Sequence, residues 1–268
     1  MKFAGSTAVV TGAGSGIGRS LARLLAERGA AVHVVDVNRS AAETTATEIG
    51  GTAHAVDVTD AEAVERLAAD VFRAGPLELL FNNAGIGHAG AVVDTTLDDW
   101  RALIDVNLMG VVHGLHAFLP RLLAQDRPAY IMNTASMAGL VPAAGLAAYS
   151  ATKAAVVALT DALDIELIGT PVRVSALCPG VIDTAIVGTS VMRGGWADRR
   201  TRTMDFYASK GTSPDVVARQ ALAGIGRRRR IVPTPRYQTV PHWVLKRMLP
   251  RAGRAVSIQT YRFLSKDE

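Results

Sequence analysis

The sequence predicts an α/β protein whose sheet is parallel and carries helices on both of its faces. Short apolar runs alternate with helical patterns along the chain, as expected of such a sheet. The chain is 49% hydrophobic but only 5% aromatic, a composition typical of buried parallel strands. Its 268 residues are most simply one large domain, with two small domains as the alternative.

The predicted elements follow one another from the N-terminus. A strand at 7–10 leads through a glycine-rich turn into a helical pattern at 19–28, which Gly29 ends. A helix also begins at Pro214, because Ser213 is a good N-cap and proline suits the first helical position. The other predicted strands are 31–35, 52–56, 77–81, 130–134, 172–176 and 231–232, and the other predicted helices are 40–49, 60–72, 98–123 and 149–167.

Residues 188–211 form the least regular part of the pattern. They are rich in Gly, Arg and Thr with scattered apolar residues, which is typical of a mobile excursion that covers an active site. We therefore predict a domain over residues 1–235 that includes this lid, followed by a basic C-terminal extension over residues 236–268.

The positive charge of the chain is concentrated near its C-terminus. The formal net charge is +5, but residues 216–268 contain 12 basic and 2 acidic residues, while residues 1–215 contain 17 basic and 22 acidic ones. Basic residues beside bulky apolar ones at 243–249 favour packing on the domain or on a neighbouring subunit. Peripheral contact with an anionic membrane is the second reading, and nucleic-acid binding is not expected because no reader motif accompanies the charge.

The cysteine count and the N-terminal residues bear on metals and location. Cys178 is the only cysteine, which excludes an internal disulfide framework and a cysteine metal cluster. His113 and His116 share a helix face but lack a third ligand, so no metal site is expected. Residues 1–5 lack the features of a secretory signal, and no window approaches about 18 uninterrupted apolar residues. We expect a cytoplasmic protein.

The first glycine-rich turn predicts a nucleotide site. Gly12, Gly16 and Gly18 follow a strand and precede a helix, where glycines let the backbone approach a pyrophosphate and the helix N-terminus offers free N–H groups. Taken alone, the spacing also fits an ordinary glycine turn. Asp36 ends the second strand, where a carboxylate accepts hydrogen bonds from ribose hydroxyls and repels a 2′-phosphate.

The residues around this turn favour NAD over NADP. A 2′-phosphate calls for a nearby basic residue, and the two places where we expect one hold Ser15 and Val37. Arg39 keeps the NADP alternative open, because a flexible arginine can swing towards a phosphate.

Tyr149 and Lys153 are four residues apart on a predicted helix and therefore share one face. An ammonium beside a phenol favours the phenolate, and a free tyrosine titrates near 10, so the pair suits proton transfer. Taken alone, the pair also fits a packed tyrosine and a solvated lysine.

Together these motifs make the chain resemble the short-chain dehydrogenase/reductase family. The match is carried, in the family's order and spacing, by Thr11-Gly-x-x-x-Gly-Ile-Gly18, Asp57-Val58, Asn82-Asn-Ala-Gly85, Asn107, Ser136, Tyr149-x-x-x-Lys153 and Pro179-Gly180 with Thr184. The resemblance implies a single Rossmann-type domain that transfers a hydride between a nicotinamide and an alcohol or carbonyl. It also implies a homodimer or homotetramer.

The resemblance implies a cofactor-binding role for residues along most of the chain. Asp57 and Val58 would bind the adenine, Asn83, Ala84 and Gly85 would line the adenine-ribose side, and Tyr149 and Lys153 would reach the nicotinamide ribose. The set is completed at the phosphates by Gly12, Ser15, Gly16, Ile17 and Gly18, at the ribose by Asp36, and at the carboxamide end by Pro179, Gly180, Ile182 and Thr184.

The resemblance assigns catalysis to four residues. Tyr149 would act as the acid or base, and Ser136 would hydrogen-bond the substrate oxygen. Lys153 and the positive charge on oxidised nicotinamide would both favour the phenolate of Tyr149. Asn107 would hold a water that links Lys153 to solvent. The predicted pocket wall is mostly apolar, which favours a hydrophobic secondary alcohol or ketone as substrate; it comprises Met137, Ala138, Val141, Ile186, Val187 and Met192, with His88 as a possible contact.

Two other readings of the same sequence stay open. One is an NADP-dependent carbonyl reductase of the same fold. The other is a non-catalytic nucleotide-binding sensor or scaffold, against which the complete set of Asn, Ser, Tyr and Lys argues, since a binder needs no proton relay.

Overall fold

The computed structural model describes the backbone of residues 3–265 and the side chains of residues 3–259. Within these residues a seven-stranded sheet runs in the order β3-β2-β1-β4-β6-β7-β9, and a two-stranded pair joins β5 to β8. The strands are β1 (Thr7–Thr11), β2 (Ala31–Asp36), β3 (Thr52–Ala55), β4 (Leu79–Asn82), β5 (His88–Ala89), β6 (Ala129–Thr134), β7 (Val172–Pro179), β8 (Val191–Met192) and β9 (Ile231–Thr234). Every neighbouring pair is parallel.

Helices alternate with the strands of the main sheet. They are α1 (Gly16–Glu27), α2 (Arg39–Ile49), α3 (Ala61–Ala74), α4 (Leu97–Ile104), α5 (Gly110–Ala124), α6 (Met137–Leu140), α7 (Ala147–Glu166), α8 (Ile186–Thr189), α9 (Gly195–Asp198), α10 (Arg200–Lys210), α11 (Pro214–Gly226), α12 (Arg236–Met248) and α13 (Pro250–Ser265). The predicted fold class, a parallel sheet with helices on both faces, is confirmed.

Two apolar cores hold the helices against the two faces of the sheet. On one face, Leu21 and Leu25 of α1 and Leu222 of α11 pack with Val10 and Val34. On the other face, side chains from α3, α5 and α7 pack with the sheet, among them Val64, Leu67, Phe118, Val156 and Leu163. Since both faces are covered, the strands are buried on both sides, which explains their continuous apolar runs.

The strand order creates a crevice at the carboxyl ends of the strands. From β1 the chain first builds outwards through β2 to β3, and it then returns to the other side of β1 with β4. Ligands of open α/β sheets bind at such a reversal point. The turns that follow β1, β4, β6 and β7 carry the sequence motifs, so the fold brings them to one edge.

Most predicted elements are present, with shifted ends. Helix α1 begins at Gly16, three residues before the predicted start, so its first turn contains two of the motif glycines. Ser213 caps α11 as predicted, accepting a hydrogen bond from the backbone N–H of Asp215 at 3.2 Å. The predicted helix at 98–123 is interrupted by a π-helical turn, Asp105–Met109, which the sequence pattern did not indicate.

The helical stretch Leu97–Ala124 is long and apolar enough to cross a membrane by length and composition. In this fold it packs as a core helix, because Val111, Leu115, Phe118 and Leu122 are buried in the apolar core beside α3 and α7. The π-helical turn lies in the middle of this stretch and carries Asn107, which is fully buried.

Residues 188–211, for which the sequence predicts a mobile excursion, contain regular elements. They contain the end of α8, then β8, α9 and α10, and β8 pairs with β5. Each of these elements is only two to eleven residues long, which explains why their periodicity was not recognisable. That this segment moves as a lid stays a prediction.

The basic extension forms α12 and α13 within the described residues, and its last residues, 266–268, lie outside them. Thr239 of α12 is fully buried, and Lys246 Nζ donates to the carbonyl oxygen of Leu140 at 3.4 Å. The start of the extension therefore packs on the domain.

Candidate active site

A cavity of about 640 Å³ opens at the carboxyl edge of the sheet. One end lies against the turn after β1 and the other against α8, β8 and α10. Most of the residues predicted for cofactor binding line it, namely Gly12, Ser15, Gly16, Ile17, Asp36, Asp57, Val58, Asn83, Ala84, Gly85, Pro179, Gly180, Ile182 and Thr184. Ser136, Tyr149 and Lys153 line it too, whereas Gly18 and Asn107 stand behind the wall.

Glycines shape the first end of the cavity because no side chain fits there. A Cβ on Gly12, whose φ is +64°, would lie 2.9 Å from the Cα of Ala84. A Cβ on Gly18 would lie 2.7 Å from Asn83 Nδ2. The turn after β1 therefore packs directly on the turn after β4, and the N-terminus of α1 faces the cavity with its free N–H groups. This cradle fits a pyrophosphate.

Asp36 stands at the same end. Its Oδ2 accepts a hydrogen bond from Gly14 N at 2.9 Å, and its Oδ1 accepts one from Asn38 N at 2.9 Å. Each carboxylate oxygen keeps a further lone pair for a ribose hydroxyl. Arg39 does not line the cavity, and its guanidinium lies 3.8 Å from Glu43. The free acceptor positions of the carboxylate fit the hydroxyls of a ribose.

Thr11 ties the turns after β1 and β4 together. Its buried hydroxyl accepts from the backbone N–H groups of Asn83 at 2.9 Å and Ala84 at 3.0 Å. The Asn83 side chain donates to the carbonyl oxygen of Thr11 at 3.0 Å and accepts from the Thr134 hydroxyl at 3.2 Å. Three strands are thereby fixed to one another at the cavity floor.

Ser136 follows β6 and caps α6. Its hydroxyl accepts from Ala138 N at 3.1 Å and lies 3.5 Å from the carbonyl oxygen of Pro179, to which it donates. The first turn of α7 brings Tyr149 to the same place. The structure thus joins two residues that are 13 positions apart in the sequence.

Burial dominates the titration of Tyr149 and Lys153. It raises the pKa of the Tyr149 phenol to about 12, although the hydrogen bond with the Ser136 side chain opposes this shift. It lowers the pKa of the Lys153 ammonium to about 8. Lys153 is only 3% exposed, its Nζ donates to the carbonyl oxygen of Thr134 at 2.9 Å, and Nζ lies 5.9 Å from the centre of the Tyr149 ring.

In the protein alone, Lys153 is not among the groups that shift the pKa of the Tyr149 phenol, whereas the prediction named two positive charges, Lys153 and an oxidised nicotinamide. The ammonium is directed at Thr134 and is itself disfavoured by burial, so it does not offset the desolvation of the phenol. A lowered phenol pKa therefore requires a second positive charge in the cavity.

Asn107 reaches the site through the π-helical turn. Its Oδ1 accepts from Ile86 N at 2.9 Å, and its Nδ2 donates to Ile86 O at 3.0 Å. A Cβ on Gly85 would lie 3.0 Å from Asn107 Oδ1 and 3.2 Å from Lys153 Nζ, so the two polar groups flank the bare side of Gly85. Asn107 thus satisfies backbone groups, as an asparagine taken singly in a predicted helix suggests, but the backbone is that of Ile86 after β4 and not that of its own helix.

The second end of the cavity is mostly apolar. All six predicted wall residues line it, together with Leu146 and Tyr207, which the sequence analysis missed. His88 also lines it and is almost fully buried, and among the described residues neither of its ring nitrogens has a hydrogen-bond partner. Burial lowers the pKa of His88, with Asp99 opposing the shift.

An ion pair holds the lid segment to the body. Arg193 Nε and Nη2 donate to the two carboxylate oxygens of Asp99 at 2.9 and 2.8 Å. Asp99 is 7% exposed and also accepts from Thr96 N at 3.0 Å. The pKa of Asp99 is held well below its usual range, chiefly by the Arg193 guanidinium. Arg193 N donates to Ala89 O at 2.8 Å, next to the pairing of β5 with β8.

A second contact fastens the lid segment. The indole of Trp196 packs over Gly145, whose φ of +80° and missing side chain make room for it. No local pattern marks Arg193 or Trp196, because each meets its partner far along the chain.

Comparisons with known proteins agree with this geometry. Residues 6–192 match the family model described as short chain dehydrogenase. Probable oxidoreductase EphD of Mycobacterium tuberculosis is 37% identical over 268 residues, which cover 95% of this chain but only 45% of that protein, so the chain spans less than half of its length. The 1-deoxy-11-beta-hydroxypentalenate dehydrogenase of Streptomyces exfoliatus is 44% identical over 74% of this chain and 75% of its own.

A solved structure has the same fold. The short chain dehydrogenase/reductase from Burkholderia phymatum, solved in complex with NAD, superposes with a TM-score of 0.84 and is 31% identical, covering 97% of this chain and 96% of its own. The family model alone matches well over half of the chain, and it matches the residues that form the cradle, the Ser136 turn and α7. The chain therefore belongs to the short-chain dehydrogenase/reductase family.

Proposed function

We propose that this protein is an NAD-preferring oxidoreductase that interconverts a hydrophobic secondary alcohol and its ketone. One observation carries the proposal: a single cavity joins a glycine cradle that fits a dinucleotide to the Ser136–Tyr149 pair and an apolar wall. When bound, the nicotinamide supplies the hydride chemistry, and in its oxidised form it supplies positive charge beside the phenol. The Streptomyces relative is named for a hydroxylated substrate, which supports an alcohol or ketone.

The chain's own residues would manage the proton and the orientation. Tyr149 would take the proton of the substrate hydroxyl during oxidation and return it during reduction. Ser136 would hydrogen-bond the same oxygen and fix its direction. Lys153 would hold the nicotinamide ribose while its ammonium keeps the local potential positive.

The preference for NAD rests on Asp36 and on the residues near it. The carboxylate accepts hydrogen bonds from ribose hydroxyls and repels a 2′-phosphate, and the neighbouring Ser15 and Val37 carry no positive charge. The Burkholderia structure was solved with NAD, which supports this choice.

The apolar wall makes the substrate class more specific. A ketone enclosed by methionine, valine and isoleucine side chains gains from burial of its hydrocarbon part, whereas a polyol would lose hydrogen bonds to water. A cyclic or lipid-like secondary alcohol is therefore the expected substrate. The homo-oligomeric state and the cytoplasmic location stay predictions from the sequence.

The test is a substrate panel with both cofactors. Formation of NADH or NADPH would be followed with cyclic secondary alcohols, long-chain secondary alcohols and polyols. We expect turnover with the apolar alcohols and a higher kcat/KM with NAD⁺ than with NADP⁺. Tight NAD⁺ binding without turnover on any of these alcohols, or on the matching ketones with NADH, would instead support the non-catalytic sensor.

A further inference from the structure

The C-terminal helices form a hairpin that has no role in the proposed activity. Helix α12 ends at Met248, Leu249 forms the bend, and α13 begins at Pro250. The helices touch where Gly253 meets α12, since a Cβ on Gly253 would lie 2.7 Å from the Cα of Lys246. The hairpin is thus a defined element whose two arms are packed together.

One face of α12 presents apolar side chains to water. Tyr237, Val244 and Met248 are 71%, 47% and 72% exposed, and their spacing of seven and four residues puts them on the same side of the helix. Pro241, at the intervening turn, is exposed on that side too. Leu249 at the bend is 59% exposed. We call these five residues the apolar stripe.

Cations border the apolar stripe. Arg236, Arg247, Arg251 and Arg254 are all exposed, and they belong to the stretch between Asp215 and Asp267, which contains no acidic residue. Lys246 lies between them and is half-buried. The hairpin therefore combines an exposed apolar row with a strongly positive surround, whereas residues 1–215 carry a net negative charge.

We propose that this hairpin docks on an anionic lipid surface. A bilayer interface accepts apolar side chains in its acyl boundary and arginines at its headgroups, so it satisfies both features at once. A nucleic acid would satisfy only the charges. A second copy of the chain needs roughly 800 Å² per partner for a stable interface, more than a row one side chain wide offers.

The hairpin adjoins the substrate half of the cavity. Helix α12 packs on α6, and Met137 and Ala138 of α6 line the cavity. Gln238 and Thr239 at the start of α12 lie against Gly180. Docking would bring this half of the cavity close to lipid, although the docking itself does not depend on the proposed activity.

The test is co-sedimentation of the full chain with vesicles. We expect binding to vesicles of phosphatidylcholine with about a third phosphatidylglycerol, weak binding to phosphatidylcholine alone, and loss of binding in high salt. Met248→Ser/Leu249→Ser and Arg247→Glu/Arg251→Glu should each weaken binding at least about tenfold, because each removes one of the two contributions.

Matched controls separate the hairpin from general surface effects. Val93→Ser/Leu97→Ser removes two apolar residues elsewhere that are at least as exposed as Met248 and Leu249, and Arg23→Glu/Arg101→Glu changes the net charge by the same amount as the hairpin arginine variant. Both should bind anionic vesicles like the unmodified chain, and circular dichroism should show all variants folded.

Three outcomes would overturn the proposal. One is that the unmodified chain does not bind anionic vesicles, and another is that the hairpin variants and the controls bind equally. The third is that Met248→Ser/Leu249→Ser changes the oligomeric state measured by light scattering without lipid, which would assign the apolar stripe to a second copy.

Discussion

The two halves of the cavity are built in different ways. The dinucleotide half consists of backbone and small residues, where turns approach so closely that glycine is required at Gly12 and Gly18. The substrate half consists of apolar side chains from α6, α8 and β8, and the Arg193–Asp99 pair joins parts of the chain that lie 94 residues apart. Both halves join distant parts of the chain, but the first does so through short sequence motifs at strand ends and the second through single side chains such as Arg193. We therefore expect mutations in the two halves to affect different steps.

The largest effect should come from Tyr149, where the two halves meet. Tyr149→Phe removes the proton donor and acceptor while leaving the ring in place, so turnover should fall by about 10³-fold or more with little change in NAD⁺ binding. Tyr130→Phe is the matched control, because Tyr130 is buried at the other end of the sheet. Comparable losses of kcat in both variants would remove Tyr149 from its proposed role.

The pH dependence of stability should reveal the buried ammonium. Burial lowers the pKa of Lys153 to about 8, below the ordinary 10.5, so folding expels a proton between these values. The unfolded state binds more protons there, and stability therefore rises with pH through that window. From pH 7 to 9.5 the free energy of unfolding should rise by roughly 2 kcal/mol relative to Lys153→Met.

Urea unfolding of both proteins at the two pH values measures this difference. If the free energy of unfolding changes equally with pH in the unmodified chain and in Lys153→Met, then Lys153 titrates in the folded protein as it does in the unfolded one. The cost of burying this cation where the two halves meet would then be absent.

In the dinucleotide half, Asp36→Asn should change the preference between NAD⁺ and NADP⁺ without affecting substrate binding in the other half. Removing the carboxylate weakens ribose binding and ends the repulsion of a 2′-phosphate, so the ratio of the NADP⁺ to the NAD⁺ dissociation constant should fall about tenfold. Fluorescence titration with both cofactors measures it, with Asp70→Asn as an exposed control. An unchanged ratio would show that another residue sets the preference.

The smallest effect on activity is expected from breaking the Arg193–Asp99 ion pair in the substrate half. Arg193→Gln should raise KM a few-fold and leave kcat and NAD⁺ affinity nearly unchanged, because it loosens the wall without touching the reacting groups. Asp99→Asn should do the same, and the double variant should be no worse than either single one. Arg101→Gln, on the same helix, is the control. Additive losses would contradict a shared contact.

The contrast between the halves also explains how far the sequence could predict the structure. The glycines, Asp36 and the Tyr149–Lys153 spacing were recognisable because short-range geometry demands those residue types at those places. The strand β8 has two residues and no period, and Arg193 is one arginine among several, so neither could be recognised. The π-helical turn that aims Asn107 at Ile86 leaves no mark in a helical pattern.

The pKa values of the buried groups were the other feature that could not be predicted from the sequence. The spacing placed Tyr149 and Lys153 on one helix face, but it did not indicate that burial raises the pKa of the phenol in the protein alone. Spacing shows which groups share a face, whereas the pKa depends on how completely the fold excludes water. The depth at which α7 lies beneath the Ser136 turn was not visible in the sequence.

The most direct test of the account is a crystal structure of the protein with NAD⁺ bound. We expect the pyrophosphate on the turn after β1, the adenosine ribose hydroxyls on Asp36, and the nicotinamide ribose on Lys153 Nζ, with the ring facing Ser136 and Tyr149. A dinucleotide bound elsewhere, or a nicotinamide ring turned away from Tyr149, would contradict the account.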